Sequence, residues 1–177
     1  MRKGTKISLG VLAIAAVAGA AAPGVVAAEP RETRVAGSAG ARLPGQHGPG
    51  DPVRFTVDAR RTADGVSSGR FHVNHLTPDG KLVADFEGRV DCALAADGLG
   101  VVTGVIERAE FPAAPPGTEL LGRRVGISVR DDPRGPDAIG WSWSTGGFAQ
   151  DTLRCNSAIP FLRVQDGGYR VTGSTFG

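Results

Sequence analysis

The side chains in this sequence whose types and spacing could do chemistry form four small groups. Cys92 and Cys155 are the only cysteines. His72 and His75 make an H-x-x-H pair, and His47 is the third histidine. Asp131, Asp132 and Asp137 put three carboxylates into one short turn. Trp141 and Trp143, the only tryptophans, stand two residues apart with Ser142, Ser144 and Thr145 beside them.

Each group admits a definite chemistry and an ordinary alternative. An even pair of cysteines in an exported chain reads as a disulfide. The bridge would close a loop of about 63 residues, which the chain-entropy model values at about 4 kcal/mol. The alternative is a pair of free thiols or a metal site, for which no second pair of ligands stands at metal spacing. H-x-x-H shares one face on a helix, but residues three apart on a strand point to opposite faces. On a strand the pair therefore holds no metal, and one histidine lies at the surface while the other is partly buried. Three carboxylates in a turn are a weak calcium candidate, since hard cations take oxygen ligands. Pro133 and Pro136 stiffen that turn, no EF-hand spacing is present, and a solvated turn is the simpler reading. Paired tryptophans on an outward face can stack on sugar rings; turned inward they are core, which the scarcity of other aromatics favours. Trp141, Trp143 and His75 are the candidate ligand face.

No G-x-S-x-G elbow, H-E-x-x-H helix, phosphate-binding loop or dinucleotide fingerprint occurs. Glu87 and Glu107 could form a carboxylate pair for glycoside hydrolysis, yet Glu87 sits among residues patterned to face water. No catalytic residue and no cofactor are assigned, and the chain is not expected to be an enzyme.

These residues must be positioned by strands. Val53 to Arg60 alternates, with Phe55, Val57 and Ala59 on one face. Ala63-Asp64-Gly65 turns the chain, and Arg70 to Leu76 resumes with Phe71 and Val73 inward. After the turn at Thr77-Pro78-Asp79-Gly80, Lys81 to Leu94 carries the clearest signal. There Ala84, Phe86, Gly88, Val90, Cys92 and Leu94 share a face opposite Asp85, Glu87, Arg89 and Asp91, as in an antiparallel sheet with one wet side. Gly88 in mid-strand points to a bend or a close backbone approach. Ala96-Asp97-Gly98 is a turn, and Leu99 to Glu107 is apolar on both faces, which suits a central strand. Phe111 to Gly122, with Pro112, Pro115, Pro116 and Gly117, is a long loop. Further strands are expected at Arg124 to Arg130, Ile139 to Trp143, Leu153 to Cys155 and Tyr169 to Thr172. Seven or eight short strands without an amphipathic helix predict an all-β fold, a single antiparallel β-barrel or β-sandwich.

The ends of the chain read differently. Arg2, Lys3 and Lys6 precede an uncharged run, Ile7 to Ala22, then Pro23-Gly24 and the small residues Val26-Ala27-Ala28. This predicts a cleaved signal peptide over 1–28, whose apolar core is shorter than the ~20 residues of a membrane span. Residues 29–50 are dense in Gly, Pro and Arg and poor in large apolar side chains, and are expected to be a disordered leader. The β domain then covers 51–173, and 174–177 is a tail. Three of the 20 Lys+Arg lie in the signal and none of the 18 Asp+Glu does, so the rest of the chain is close to neutral. A neutral surface argues against nucleic-acid partners and against a polybasic membrane binder.

Several short motifs then occur in a familiar order. Phe55-Thr56-Val57-Asp58-Ala59-Arg60-Arg61 leads through Ala63-Asp64-Gly65 into Ser68-Gly69-Arg70-Phe71. Gly88-Arg89-Val90-Asp91-Cys92 and Thr103-Gly104-Val105-Ile106 follow, then Val129-Arg130-Asp131, Pro136-Asp137 and Cys155. This order resembles an uncharacterised family of small exported actinobacterial proteins over Arg54 to Cys155. The resemblance implies export and an antiparallel β-barrel-like domain, and it supplies no activity. The chain departs from the pattern at Asp132-Pro133, where Asn-Gly is usual, in its longer Pro-rich loop and in its tryptophan pair.

The expectation is thus a secreted, monomeric, non-enzymatic β protein with a binding or structural role. Its ligand would be extracellular or in the cell envelope. A secreted hydrolase with an unrecognised site and a calcium-stabilised module are the alternatives.

Overall fold

A computed structural model of the chain describes residues 32–44, 50–144 and 147–176. The expected signal peptide and His47 lie outside them. The elements are strands β1 (Thr33–Arg42), β2 (Pro52–Arg61), β3 (Ser67–Leu76), β4 (Leu82–Ala96), β5 (Leu99–Glu110), β6 (Arg124–Arg130), β7 (Ala138–Trp141), β8 (Leu162–Arg163) and β9 (Asp166–Thr172). A 3-10 turn, Ser142–Ser144, follows β7. All nine strands form one antiparallel sheet in the order β8-β7-β6-β5-β4-β3-β2-β1-β9, curled into a barrel-like shape. The fold is all-β as expected, and it is a single curled sheet rather than a sandwich.

Alternation drives the strands. Val53, Phe55, Val57 and Ala59 of β2, Phe71 and Val73 of β3, and Val125, Ile127 and Val129 of β6 are all buried. Short turns join β2 to β3, β3 to β4 and β4 to β5. Asp97 and Gly98, with φ of 49° and 74°, supply the two left-handed residues of the β4–β5 hairpin.

The curl shows in packing across the interior. Three strands separate β5 from β1 in the sheet, yet a Cβ on Gly100 would come within 2.8 Å of Val35. Gly88 is a close-approach site as its position implied: a Cβ there would lie 2.1 Å from the Val105 carbonyl oxygen and 2.8 Å from the Phe71 ring. The two edge strands are consecutive in the chain. Residues 162–163 pair with β7, Gln165 N donates to Gly40 O of β1 at 2.7 Å, and 166–172 continue along β1. One short segment therefore spans the seam and leaves little free edge.

Four expectations are corrected. The stretch 29–50 contains β1, paired to β2 on one side and β9 on the other. Its inward residues, Thr33, Val35, Ala39 and Ala41, are small but buried. A strand hydrogen-bonded on both sides inside a tight curl needs small side chains, so low bulk here marks close packing and not disorder. In β4 a register shift between Val90 and Cys92 reverses the faces. Ala93 and Ala95 take the inward positions that alternation assigned to Leu94, and Cys92 turns to the outer side opposite Thr103. Leu153 to Cys155 is no strand. It belongs to a strap that, over its described residues, lies on the outer face of β5, β6 and β7 before β8. The tail is docked, with Thr175 N donating to Ala95 O at 2.8 Å and Ala95 N donating to Thr175 Oγ1 at 2.9 Å.

The strap can lie flat because the outer face beneath it is bare. A Cβ on Gly126 would meet Asn156 O at 2.1 Å, and one on Gly140 would meet Ile159 O at 2.3 Å. The Cys92–Cys155 disulfide pins the strap to β4. Arg154 donates twice to Asp91 O, at 3.0 and 2.8 Å, and Cys155 N donates to Thr103 Oγ1 at 3.1 Å. Covered this way, Thr103 of β5 is fully buried, which accounts for a strand apolar on both faces.

Candidate functional site

The inward-facing residues at one end of the curl are large and flat. Phe55 and Val53 come from the start of β2, Val73 and His75 from the end of β3, and Ala84 and Phe86 from the start of β4. The other rings come from segments outside the sheet's regular alternation. Phe111 follows β5, Trp143 sits in the 3-10 turn, Phe148 lies beyond it, and Phe161 precedes β8; Trp141 ends β7. Together they surround a cavity of about 440 Å³. Five of the seven phenylalanines and both tryptophans line it.

The rings form a continuous run. Phe148 stacks on Trp143 with centroids 5.5 Å apart, Trp143 on Phe55 at 6.1 Å, and Phe55 on Trp141 at 5.0 Å, all within 27° of parallel. Phe161 adds a tilted contact to Trp141 at 4.6 Å. Phe86 meets Trp143 and Phe148 edge-on, at 5.4 and 5.8 Å. Offset-stacked and edge-to-face pairs at these separations are mutually attractive, so the rings hold one another in place and leave space beside them.

Among the described residues, polar groups on the lining are few. His75 Nε2 lies 2.9 Å from Asp51 Oδ2, and among the described lining residues Ser144 adds a hydroxyl and the two tryptophans their indole N–H groups. Asp51 is held just ahead of β2, where Leu43 N donates to its backbone oxygen at 2.9 Å. The three members of the candidate ligand face, Trp141, Trp143 and His75, thus converge on one cavity. The tryptophans are inward, as a core reading required, but Trp143 reaches the site from the turn after β7 and not along the strand.

The remaining candidates lie elsewhere. His72 is on the outer face of β3, where its Nε2 lies 3.0 and 2.9 Å from the two oxygens of Asp85, so the two histidines do point apart. Glu87 and Glu107 also lie outside, in an ion network: Arg108 reaches Glu87 at 3.1 Å, Arg89 reaches Glu107 at 3.3 Å, and Arg70 reaches both. The aspartate turn between β6 and β7 is a structural latch. Asp137 Oδ2 accepts from Tyr169 N at 2.6 Å and its Oδ1 from Asp132 N at 3.0 Å. Asp131 Oδ2 accepts from Val171 N at 3.0 Å, and Asp132 Oδ1 from Arg134 N at 2.9 Å. These oxygens face backbone donors of β9 and of the turn itself. Among the described residues, no three of His, Cys, Asp and Glu are grouped to hold a metal ion.

Among the side chains away from the cavity with shifted acidities, Tyr169 and Asp91 are the two that are not fully exposed. Burial and the Asp137 carboxylate push the Tyr169 phenol above its ordinary value, and its hydroxyl donates to Phe55 O at 3.0 Å. Burial of Asp91 opposes its ionisation. Thr103 Oγ1 at 2.6 Å and Arg124 Nε at 2.7 Å outweigh that and hold the carboxyl below its ordinary value.

Sequence reasoning missed Asp51 and the five phenylalanines as site residues. Phe55 and Phe86 were recognisably inward, but which end of the curl they share with Trp141 depends on strand register. Phe111, Phe148 and Phe161 lie where no periodicity exists to be read. Comparison with known proteins finds no matching family model, no matching curated protein and no matching solved structure. Among the described residues, no helix is long and apolar enough to cross a membrane.

Proposed function

We propose that this chain is an exported, non-enzymatic binding module that holds a small apolar ligand at the aromatic end of its curled sheet. The single observation that carries this reading is the gathering of nearly all the chain's large rings around a cavity of about 440 Å³. Ligand pockets are typically concave, apolar and about 300–1,000 Å³, with a few placed polar groups. The export part rests on the basic and apolar start of the sequence, on the disulfide, and on the resemblance to exported actinobacterial proteins.

Both tryptophans line the cavity, so tryptophan fluorescence reports on it alone. Titration with 1-anilinonaphthalene-8-sulfonate should quench Trp emission saturably at one site, and Trp143→Ala should weaken binding about tenfold. A native chain that shows no saturable quenching would refute the reading.

One observation favours a second reading, a hydrolase. His75 is oriented by Asp51 and shares the cavity lining with Ser144, the residue types of a Ser-His-Asp site. No hydrogen bond joins Ser144 to His75, which is why binding is preferred. Turnover of 4-nitrophenyl acetate that vanishes in Ser144→Ala would replace the binding reading with this one.

A further inference from the structure

We infer that the cavity selects a planar fused-ring molecule of two to three rings that carries one hydrogen-bond donor, received by His75. The inference rests on the binding reading above and names the ligand class of that site.

Size sets the first limit. A cavity of about 150 Å³ accommodates benzene, so one of about 440 Å³ has room for about three such rings. Shape sets the second. Phe148, Trp143, Phe55 and Trp141 succeed one another with planes within 27° of parallel. Such rings offer repeated flat faces and quadrupolar edges, which a planar π system matches and a flexible alkyl chain of equal area does not. A rigid ligand also has fewer rotamers to lose on binding.

The polar requirement comes from one hydrogen bond. A carboxylate only accepts, so the contact between His75 Nε2 and Asp51 Oδ2 places the imidazole proton on Nε2. In the neutral ring Nδ1 then keeps its lone pair and is an acceptor. A ligand hydroxyl or N–H group satisfies it, whereas an ether or carbonyl oxygen does not. His75 is the only ionisable side chain among the described lining residues, and its Nδ1 is the acceptor assigned to the ligand's donor.

Trp fluorescence titration at pH 7.5 with naphthalene, 2-naphthol, 2-methoxynaphthalene and 1-decanol tests this on the native chain. We expect 2-naphthol to bind about tenfold more tightly than naphthalene or 2-methoxynaphthalene, a difference of about 1.4 kcal/mol, although the hydroxyl makes it the more water-soluble of the three. We expect 1-decanol to bind more weakly than 2-naphthol. His75→Leu should remove the preference for 2-naphthol over naphthalene and 2-methoxynaphthalene. Equal binding of 2-naphthol and 2-methoxynaphthalene would overturn the donor requirement, and tighter binding of 1-decanol would overturn the planar one; both leave the binding reading standing. Failure of all four probes to bind would remove the binding reading itself. The ligand series needs no variant, so the inference stays testable even if His75→Leu does not fold.

Discussion

The two ends of the curled sheet share strands β2 and β4 and are packed in opposite ways. At the narrow end Val35, Ala59, Ala93, Ala95, Val102 and Val129 are buried, and Gly100 lets β5 come so close that Val35 and Val129 fill the place of a side chain. At the wide end β2, β4 and β7 present Phe55, Phe86 and Trp141 and leave a cavity of about 440 Å³. Small side chains can be drawn together until no void remains, whereas large rigid rings that already stack on one another cannot collapse further. The narrow end holds the curl shut. The wide end is free to hold something else.

The largest test of this contrast is the disulfide. The strap that it pins joins Trp143 and Phe148 to Phe161, so the wide end depends on it more than the narrow end does. Replacing Cys92 and Cys155 together by Ser should lower unfolding stability by about 4 kcal/mol, read from the urea midpoint. Binding of 1-anilinonaphthalene-8-sulfonate should be lost at lower urea than the global transition. Simultaneous loss would mean that the two ends are one cooperative unit.

The aspartate latch comes next. Asp137→Ala leaves Tyr169 N and Asp132 N without their acceptor and should cost about 3 kcal/mol, with the cavity's probe affinity little changed. A change in midpoint below about 1 kcal/mol would show that water replaces the carboxylate and that the seam needs no latch. The ends can also be compared by equal truncations. Val35→Ala should cost about 2 kcal/mol, while Val83→Ala on the cavity wall should cost under about 1 kcal/mol, because it enlarges a space already there. Equal costs would mean the wide end is packed after all.

The smallest effect expected is on pH dependence. The carboxyl of Asp91 titrates below its ordinary value in the folded chain. Its stabilising contribution is therefore full above the unfolded value of about 3.9 and lost as pH falls through the lower folded value. Asp91→Asn should flatten that part of the acid limb in urea midpoints between pH 5 and pH 2, and an unaltered limb would assign it to other carboxylates.

Much of this was legible in the sequence, for local reasons. Alternation in β2, β3 and β6 needs only the two-residue period of a strand, and the Asp97-Gly98 turn needs only residues that tolerate positive φ. The stretch from Thr33 to Arg42 was misread because its burial comes from neighbours on both sides, which composition does not contain. Leu94 and Cys92 were placed on the wrong faces because a single bulged residue in β4 inverts everything after it.

By itself, then, the sequence determined the all-β class, the inward sets of the regular strands and the pair of cysteines able to bridge, since these follow from periodicity and residue type. The tertiary structure alone decided that Phe111, Trp143, Phe148 and Phe161 meet Phe55 and Phe86, that Asp51 orients His75, and that the aspartate turn closes the seam. Those contacts join segments far apart in the chain. Register and curl bring them together, and no local pattern encodes either.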